Sequence, residues 1–143
     1  MTAADLERAY RRALYRLELP DGPLDLSIGT HSEQVAALLK DRGVRTAAYL
    51  TACNPGSREV DPATNQAAQA ALLEAAARLG HTTLPGIAID PDGTWPDEES
   101  VLVLGIDAAA ATVLARRFGQ HALVWINTSG TPELVWVDRP AEA

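Results

Sequence analysis

The residues best able to do chemistry gather around two short stretches, Thr51-Ala-Cys-Asn-Pro-Gly-Ser57 and Glu98-Glu99-Ser100. Thr51, Asn54 and Ser57 bring hydroxyl and amide groups to a Pro-Gly bend, where they can orient a small polar ligand while backbone N–H groups receive a phosphate or carboxylate. Glu98 or Glu99 stands where a loop containing Trp95 runs into an apolar stretch. A carboxylate so placed can act as a general acid or base, or simply be solvated. Ser100 follows them, and Gln120 offers an amide that can either cap loose backbone groups or contact a ligand. Cys53 is the chain's one cysteine and ends an apolar run, which fits a small buried side chain better than a nucleophile paired with His31, His81 or His121. The three histidines lie far apart, without zinc spacing. Asp90-Pro-Asp-Gly93 starts like a calcium loop, but the place of the bidentate glutamate falls on Val101, so it reads as a turn. No metal and no cofactor is expected.

The elements that must position these residues are legible from periodicity. Leu6, Tyr10, Leu14 and Leu17 recur at helical spacing, opposite Arg8, Arg11, Arg12 and Arg16, and predict a peripheral amphipathic helix over residues 1–19. Leu24, Leu26 and Ile28 alternate with polar residues as a strand does, and Thr30 with Glu33 forms a capping box for a helix ending at Gly43. Strand, helix and the apolar run Thr46–Ala52 make a βαβ unit. Asp61-Pro62 then opens a helix to Gly80, with Ala68, Leu72, Ala76 and Leu79 inward. One step back along that stripe stands Asn65, which should fold back onto the bend before its own helix, because a buried amide without partners costs about 1–3 kcal/mol. Pro85 assigns the strand 82–89 to an edge or bulged position. Residues 100–106 form an interior strand, Asp107 caps a helix ending at Gly119, and 121–127 with 133–137 make a hairpin. The expected fold is a single α/β (α+β) domain over residues 1–143, a mixed sheet of about six strands with about four helices, with residues 138–143 as a frayed tail.

Bulk properties narrow the partners. The 143 residues suffice for one domain with its own core. With 12 Lys+Arg against 19 Asp+Glu, a net charge of −7 disfavours duplex nucleic acid and anionic membranes. One cysteine makes no intrachain disulfide, no apolar run approaches the roughly 20 residues that span a bilayer, and the N-terminus is too charged for a secretory signal. A cytoplasmic location is the resulting expectation. Apolar strand edges such as the final hairpin allow a homodimer.

The joint occurrence of Thr51-Ala-Cys-Asn-Pro-Gly-Ser57, Asn65, the stretch Gly93–Ile106 and Arg116-Arg-Phe-Gly-Gln-His-Ala-Leu-Val-Trp125 resembles a bacterial family known as domain of unknown function 3293. The resemblance runs from about Leu24 to Val137. Its pattern falls on Thr51, Ala52, Asn54, Pro55, Ser57, Asn65, Trp95, Glu98, Ser100, Gly105, Phe118 and Gln120, and leaves Cys53 outside. It supplies no activity. Where relatives have proline between glutamate and serine this chain has Glu99, which leaves open whether Glu98 or Glu99 is the matching carboxylate.

Two functional expectations follow. In the first, a cytosolic protein binds or processes a small polar or anionic ligand at the Asn-Pro-Gly-Ser corner through Thr51, Asn54, Ser57, Asn65, Ser100 and Gln120, with Glu98 or Glu99 as proton carrier or donor-recognising group. That site needs the strand at Glu98 to run antiparallel to the strand ending at Thr51. In the second, the polar residues are purely structural, and the arginine-faced first helix or exposed Trp125 and Trp136 meet a protein partner.

Overall fold

Each helix begins where the sequence offers a side-chain oxygen to an unpaired backbone N–H. The computed structural model describes residues 1–141, with four helices: α1 (Ala3–Arg12), α2 (Glu33–Asp41), α3 (Pro62–Arg78) and α4 (Ala108–Arg117). Thr2 and Asp5 form a capping box on α1, while Asp61 and Asp107 cap α3 and α4. Pro62 occupies the first position of α3, as its fixed φ favours. The capping box expected at Thr30 and Glu33 does not form. Gly29 N–H donates to Pro132 O (2.8 Å) and Ser32 N–H to Gly130 O (2.8 Å), which holds this segment against a distant turn, so the cap falls to Ser32, whose side chain accepts from Val35 N–H.

Seven strands follow the order β2-β1-β4-β5-β3-β6-β7, with β1 (Leu14–Leu19), β2 (Gly22–Leu26), β3 (Thr46–Leu50), β4 (Thr83–Ile89), β5 (Glu98–Leu104), β6 (Ala122–Asn127) and β7 (Glu133–Trp136). The α+β class stands, with one strand more than expected. All neighbours are antiparallel. Parallel pairing is therefore absent among the described residues, and β2 and β3, joined through α2, point the same way but have three strands between them. The extra strand is β1. Its residues Leu14 and Leu17 match the helical spacing of Leu6 and Tyr10, but α1 stops at Arg12 and Ala13 turns extended, because Tyr15 and Leu17 alternate onto the core face. The helix expected over 1–19 is thus a ten-residue helix and a strand.

Pro85 stands in an interior strand rather than an edge. β1 pairs with β4 only from Gly86 onward, so on that side no N–H is required at Pro85. Leu79, assigned to the buried stripe of α3, is exposed, since α3 ends at Arg78 and Leu79 turns away as its C-cap.

The sheet separates two apolar layers. On one face Leu50, Val101, Val103 and Leu123 pack against Leu72 and Ala76 of α3 and Ala111, Leu114 and Ala115 of α4. On the other, Tyr15, Leu17, Leu26, Tyr49, Leu102, Leu104, Val124 and Ile126 surround Val35 and Leu39 of α2. This second face is concave. A flat sheet would separate β1 from β7 by about 24 Å, against about 15 Å for the whole of α1. Yet Tyr10 meets the ring of Trp136 edge-on at 5.8 Å, and its carbonyl accepts from the Tyr15 hydroxyl at 2.6 Å. The Gly29–Pro132 bond likewise joins loops from opposite edges.

Concave curvature leaves α2 covering one end of this face and α1 the other. Glu7 pairs with Arg139 (2.9 Å) and Arg12 with Asp92 (3.0 Å), tying α1 to both rims. Asp138 N–H also bonds His121 O (3.1 Å), so Asp138 and Arg139, expected to fray, are anchored, whereas Glu142 and Ala143 of that tail lie outside the described residues. No helix among the described residues is long and apolar enough to cross a membrane.

Candidate functional site

Asn54 and Ser57 are the two non-glycine residues with positive φ among the described residues, at 48° and 59°, and Gly56 between them has φ 69°. Such a corner costs energy and persists only where its surroundings hold it. Asn54 N–H donates to Asn65 Oδ1 (2.9 Å), and Asn65 Nδ2 returns a bond to Asn54 Oδ1 (2.9 Å), which also accepts Val60 N–H (3.0 Å). The first turn of α3 thus folds back on the bend before it, as its position on the stripe predicted.

A second clamp comes from the end of α4. Gly56 N–H donates to Gly119 O (2.8 Å), and Gln120 Nε2 donates to Cys53 O (3.1 Å) and Phe118 O (3.2 Å). A Cβ added at Gly119, where φ is +71°, would lie 2.7 Å from Pro55 Cβ. The close approach requires glycine there. Behind the corner, Gln69 is fully buried and accepts Ala52 N–H through Oε1 (3.1 Å). Sequence reading passed over Gln69, although it lies one turn after Asn65 and three residues before Leu72.

Of the two carboxylates, Glu98 is the one that meets the corner. Because β5 runs antiparallel to β3, the start of β5 meets the end of β3, and Asn54 Nδ2 donates to Glu98 Oε2 at 2.8 Å. Trp95 Nε1 donates to the same oxygen at 3.0 Å. Side chains alternate along a strand, so Glu98 and Ser100 share the concave face with Leu102 and Leu104, while Glu99 points the other way and is exposed. Burial raises the Glu98 pKa above the usual carboxylate range, opposed by the bonds from Asn54 and Trp95.

These groups open onto a cleft of about 340 Å³ between α1 and the concave face. Its floor and walls include Tyr15, Tyr49, Trp95, Glu98, Ser100 and Val124, and Tyr10 of α1 roofs it. Thr51, Asn54, Ser57, Ser100 and Gln120 also line it. Asn65 does not: it braces the corner from behind. Thr51 Oγ1 donates to Glu99 O (2.7 Å) and accepts Cys53 N–H (3.0 Å), and Ser100 Oγ donates to Glu98 O (2.9 Å). Burial pushes the Tyr10 phenol up to about 12, opposed by the neighbouring Ser57 and reinforced by the charge of Glu98.

Other expectations need correction. The corner offers no anion cradle: the N–H groups of Asn54, Gly56, Ser57 and Arg58 are all taken by protein acceptors, and the Asp61 carboxylate occupies the N-terminus of α3. Trp125 and Trp136 are half-buried rather than exposed, the first against the core of α3 and α4, the second between Tyr10 and Arg139. Cys53 is buried, its thiol against Glu99 O at 3.5 Å and its pKa raised by burial. His81 and His121 bond backbone carbonyls of Leu104 and Asp138, both at 3.0 Å, away from the cleft. Asp90 accepts the N–H groups of Asp92, Thr94 and Trp95, so its carboxylate builds the turn that carries Trp95.

No curated protein and no solved structure matches this chain. A family model described as "Protein of unknown function (DUF3293)" matches residues 50–123, which span the strained corner, Asn65, Trp95, Glu98 and the Phe118-Gly-Gln120 clamp. The chain belongs to the DUF3293 family.

Proposed function

We propose that the cleft between α1 and the concave face binds a small polar ligand, with Glu98 as the group that recognises it and is able to exchange a proton with it. The observation that carries this reading is the state of the Glu98 carboxylate. Both of its hydrogen bonds fall on Oε2, and among the described residues no enclosed side-chain nitrogen or oxygen lacks a partner, so Oε1 must be reachable from the cleft. A purely structural carboxylate in this setting would be satisfied at both oxygens. Two elements of strain, at Asn54 and Ser57, are spent on aiming Asn54 Nδ2 at this one residue. Pockets of roughly 300–1,000 Å³, mostly apolar with a few convergent polar groups, are the usual form of small-molecule sites, and this cleft stands at the lower end.

The anionic half of the earlier expectation loses its support, since the corner's N–H groups are committed and a carboxylate faces the cleft. The interaction-module reading draws less support from these features. Arg8, Arg11 and Arg12 each pair with an acidic side chain of this chain, and the two tryptophans are packed.

A thermal-shift panel of polar metabolites tests the reading. At least one compound is expected to stabilise the wild type and to lose its effect in Glu98→Gln, whose own folding is checked by circular dichroism. Stabilisers that act equally on both proteins would refute it.

A further inference from the structure

Glu98 is a largely buried carboxylate whose two partners, the Asn54 amide and the Trp95 indole, are both neutral. A charge taken out of water needs a countercharge or a proton. The cations that line the cleft lie with other carboxylates: Arg8 pairs with Asp5, which the exposed Met1 amino group also neighbours, and Arg12 pairs with Asp92, while Asp90 is filled by backbone N–H groups. The remaining titratable groups facing the cleft are the Cys53 thiol and the phenols of Tyr10, Tyr15 and Tyr49, and burial pushes the pKa of all four up, keeping them neutral. The one charge in the interior of the cleft is therefore negative and lacks a countercharge.

Around that charge the walls are aromatic. Tyr10, Tyr15, Tyr49 and Trp95 surround the cleft, and Tyr15 and Tyr49 meet edge-to-face at 5.3 Å. The hydroxyl of Tyr49 donates to Arg16 O (2.9 Å) and that of Tyr15 to Tyr10 O (2.6 Å), so these rings are held in place by the backbone and present apolar surface. Electron-rich rings lining a cleft beside a lone carboxylate are the combination that recognises organic cations.

We propose that the ligand of this cleft is a small organic cation, an ammonium or amidinium whose N–H donates to Glu98 Oε1 and whose body packs among Tyr10, Tyr15, Tyr49 and Trp95. This rests on the reading of the cleft as a ligand site and names the chemistry that fills it. The cation supplies the countercharge that the fold withholds, and the protonated carboxyl takes its place when the cleft is empty and the pH is low.

The test uses four matched probes at pH 7.5: benzamidine and phenethylamine as cations, benzamide as the neutral isostere and benzoate as the anion. Calorimetric titration is expected to show both cations binding at least tenfold more tightly than benzamide, with benzoate weakest. In Glu98→Gln the preference for benzamidine over benzamide is expected to disappear, and Tyr10→Leu, on the roof, is expected to weaken the cations without inverting the order. Equal binding of benzamide and benzamidine, or a cation preference that persists in Glu98→Gln, overturns the inference while leaving the cleft a ligand site. Binding by none of the four overturns it as well. The broader reading is then judged separately, by the response of Glu98→Gln in the uncharged part of the metabolite panel.

Discussion

Asn54 and Asn65 hold each other through two reciprocal hydrogen bonds, backbone N–H to Oδ1 and Nδ2 to Oδ1, both 2.9 Å long. The pair fixes the peptide of a residue that is forced into left-handed φ, and so fixes the direction of the Asn54 amide toward Glu98. Asn65→Ala strips a partner from the buried Asn54 N–H. It is expected to cost about 1–3 kcal/mol of stability in urea unfolding. Asn65→Asp keeps the acceptor and is expected to recover part of that loss.

Glu98→Gln separates the charge from the shape. Glutamine can still accept from Asn54 and Trp95, but has no charge to desolvate. Because folding raises the Glu98 pKa, the folded state holds its proton across an interval above the unfolded carboxyl value of about 4.3. The stability this residue contributes is therefore complete below that interval and falls as pH climbs through it. The ligand-free Glu98→Gln protein is expected to match the wild type at pH 4 and to melt higher at pH 8. A variant that melts lower at pH 8 than at pH 4, relative to wild type, contradicts the assignment.

Gly119→Ala attacks the same corner from the opposite side. The added methyl meets Pro55 at 2.7 Å and demands a left-handed alanine. A loss of about 1–3 kcal/mol is expected from the overlap alone, together with weaker ligand stabilisation. Gly93→Ala, with comparable φ and open space around it, serves as the control for backbone strain without the clash.

Cys53 is expected to be inert. Its thiol is buried with a raised pKa, so alkylation by iodoacetamide at pH 7.5 should proceed far more slowly in the folded protein than in urea. Rapid modification of the native protein would reopen the nucleophile reading.

The corner itself was legible because its signals are local. A polar residue leading an apolar stripe, a Pro-Gly bend and an Asp-Pro helix start all act within a few residues of one another, and the antiparallel course needed to bring Glu98 to Asn54 is the one β3 and β5 take. What escaped depends on distant segments. Leu17 fits a helical stripe with Tyr10 and Leu14 and a strand alternation with Tyr15 alike, and only pairing with residues 86–89 and 22–26 settles the matter. Tyr10 reads as an amphipathic-helix residue, and nothing near it in sequence reveals that the helix roofs the cleft. Gln69 was overlooked because its neighbour Ala68 fits an apolar stripe better, whereas the burial of Gln69 answers an unpaired N–H at Ala52, seventeen residues away.

The strand order has a consequence for how this molecule is made. β3 lies between β5 and β6, and β1 between β2 and β4, so neither early strand acquires both neighbours until much later residues have been synthesised. Consecutive strands account for the β1–β2, β4–β5 and β6–β7 pairs, and the other three ladders, β1–β4, β3–β5 and β3–β6, close long loops, a topology that slows folding. A nascent chain halted before Ala122 carries an apolar central strand with one bare flank. The pocket, whose lining includes Ala122, Leu123 and Val124, thereby reaches completion only after β6 has been made.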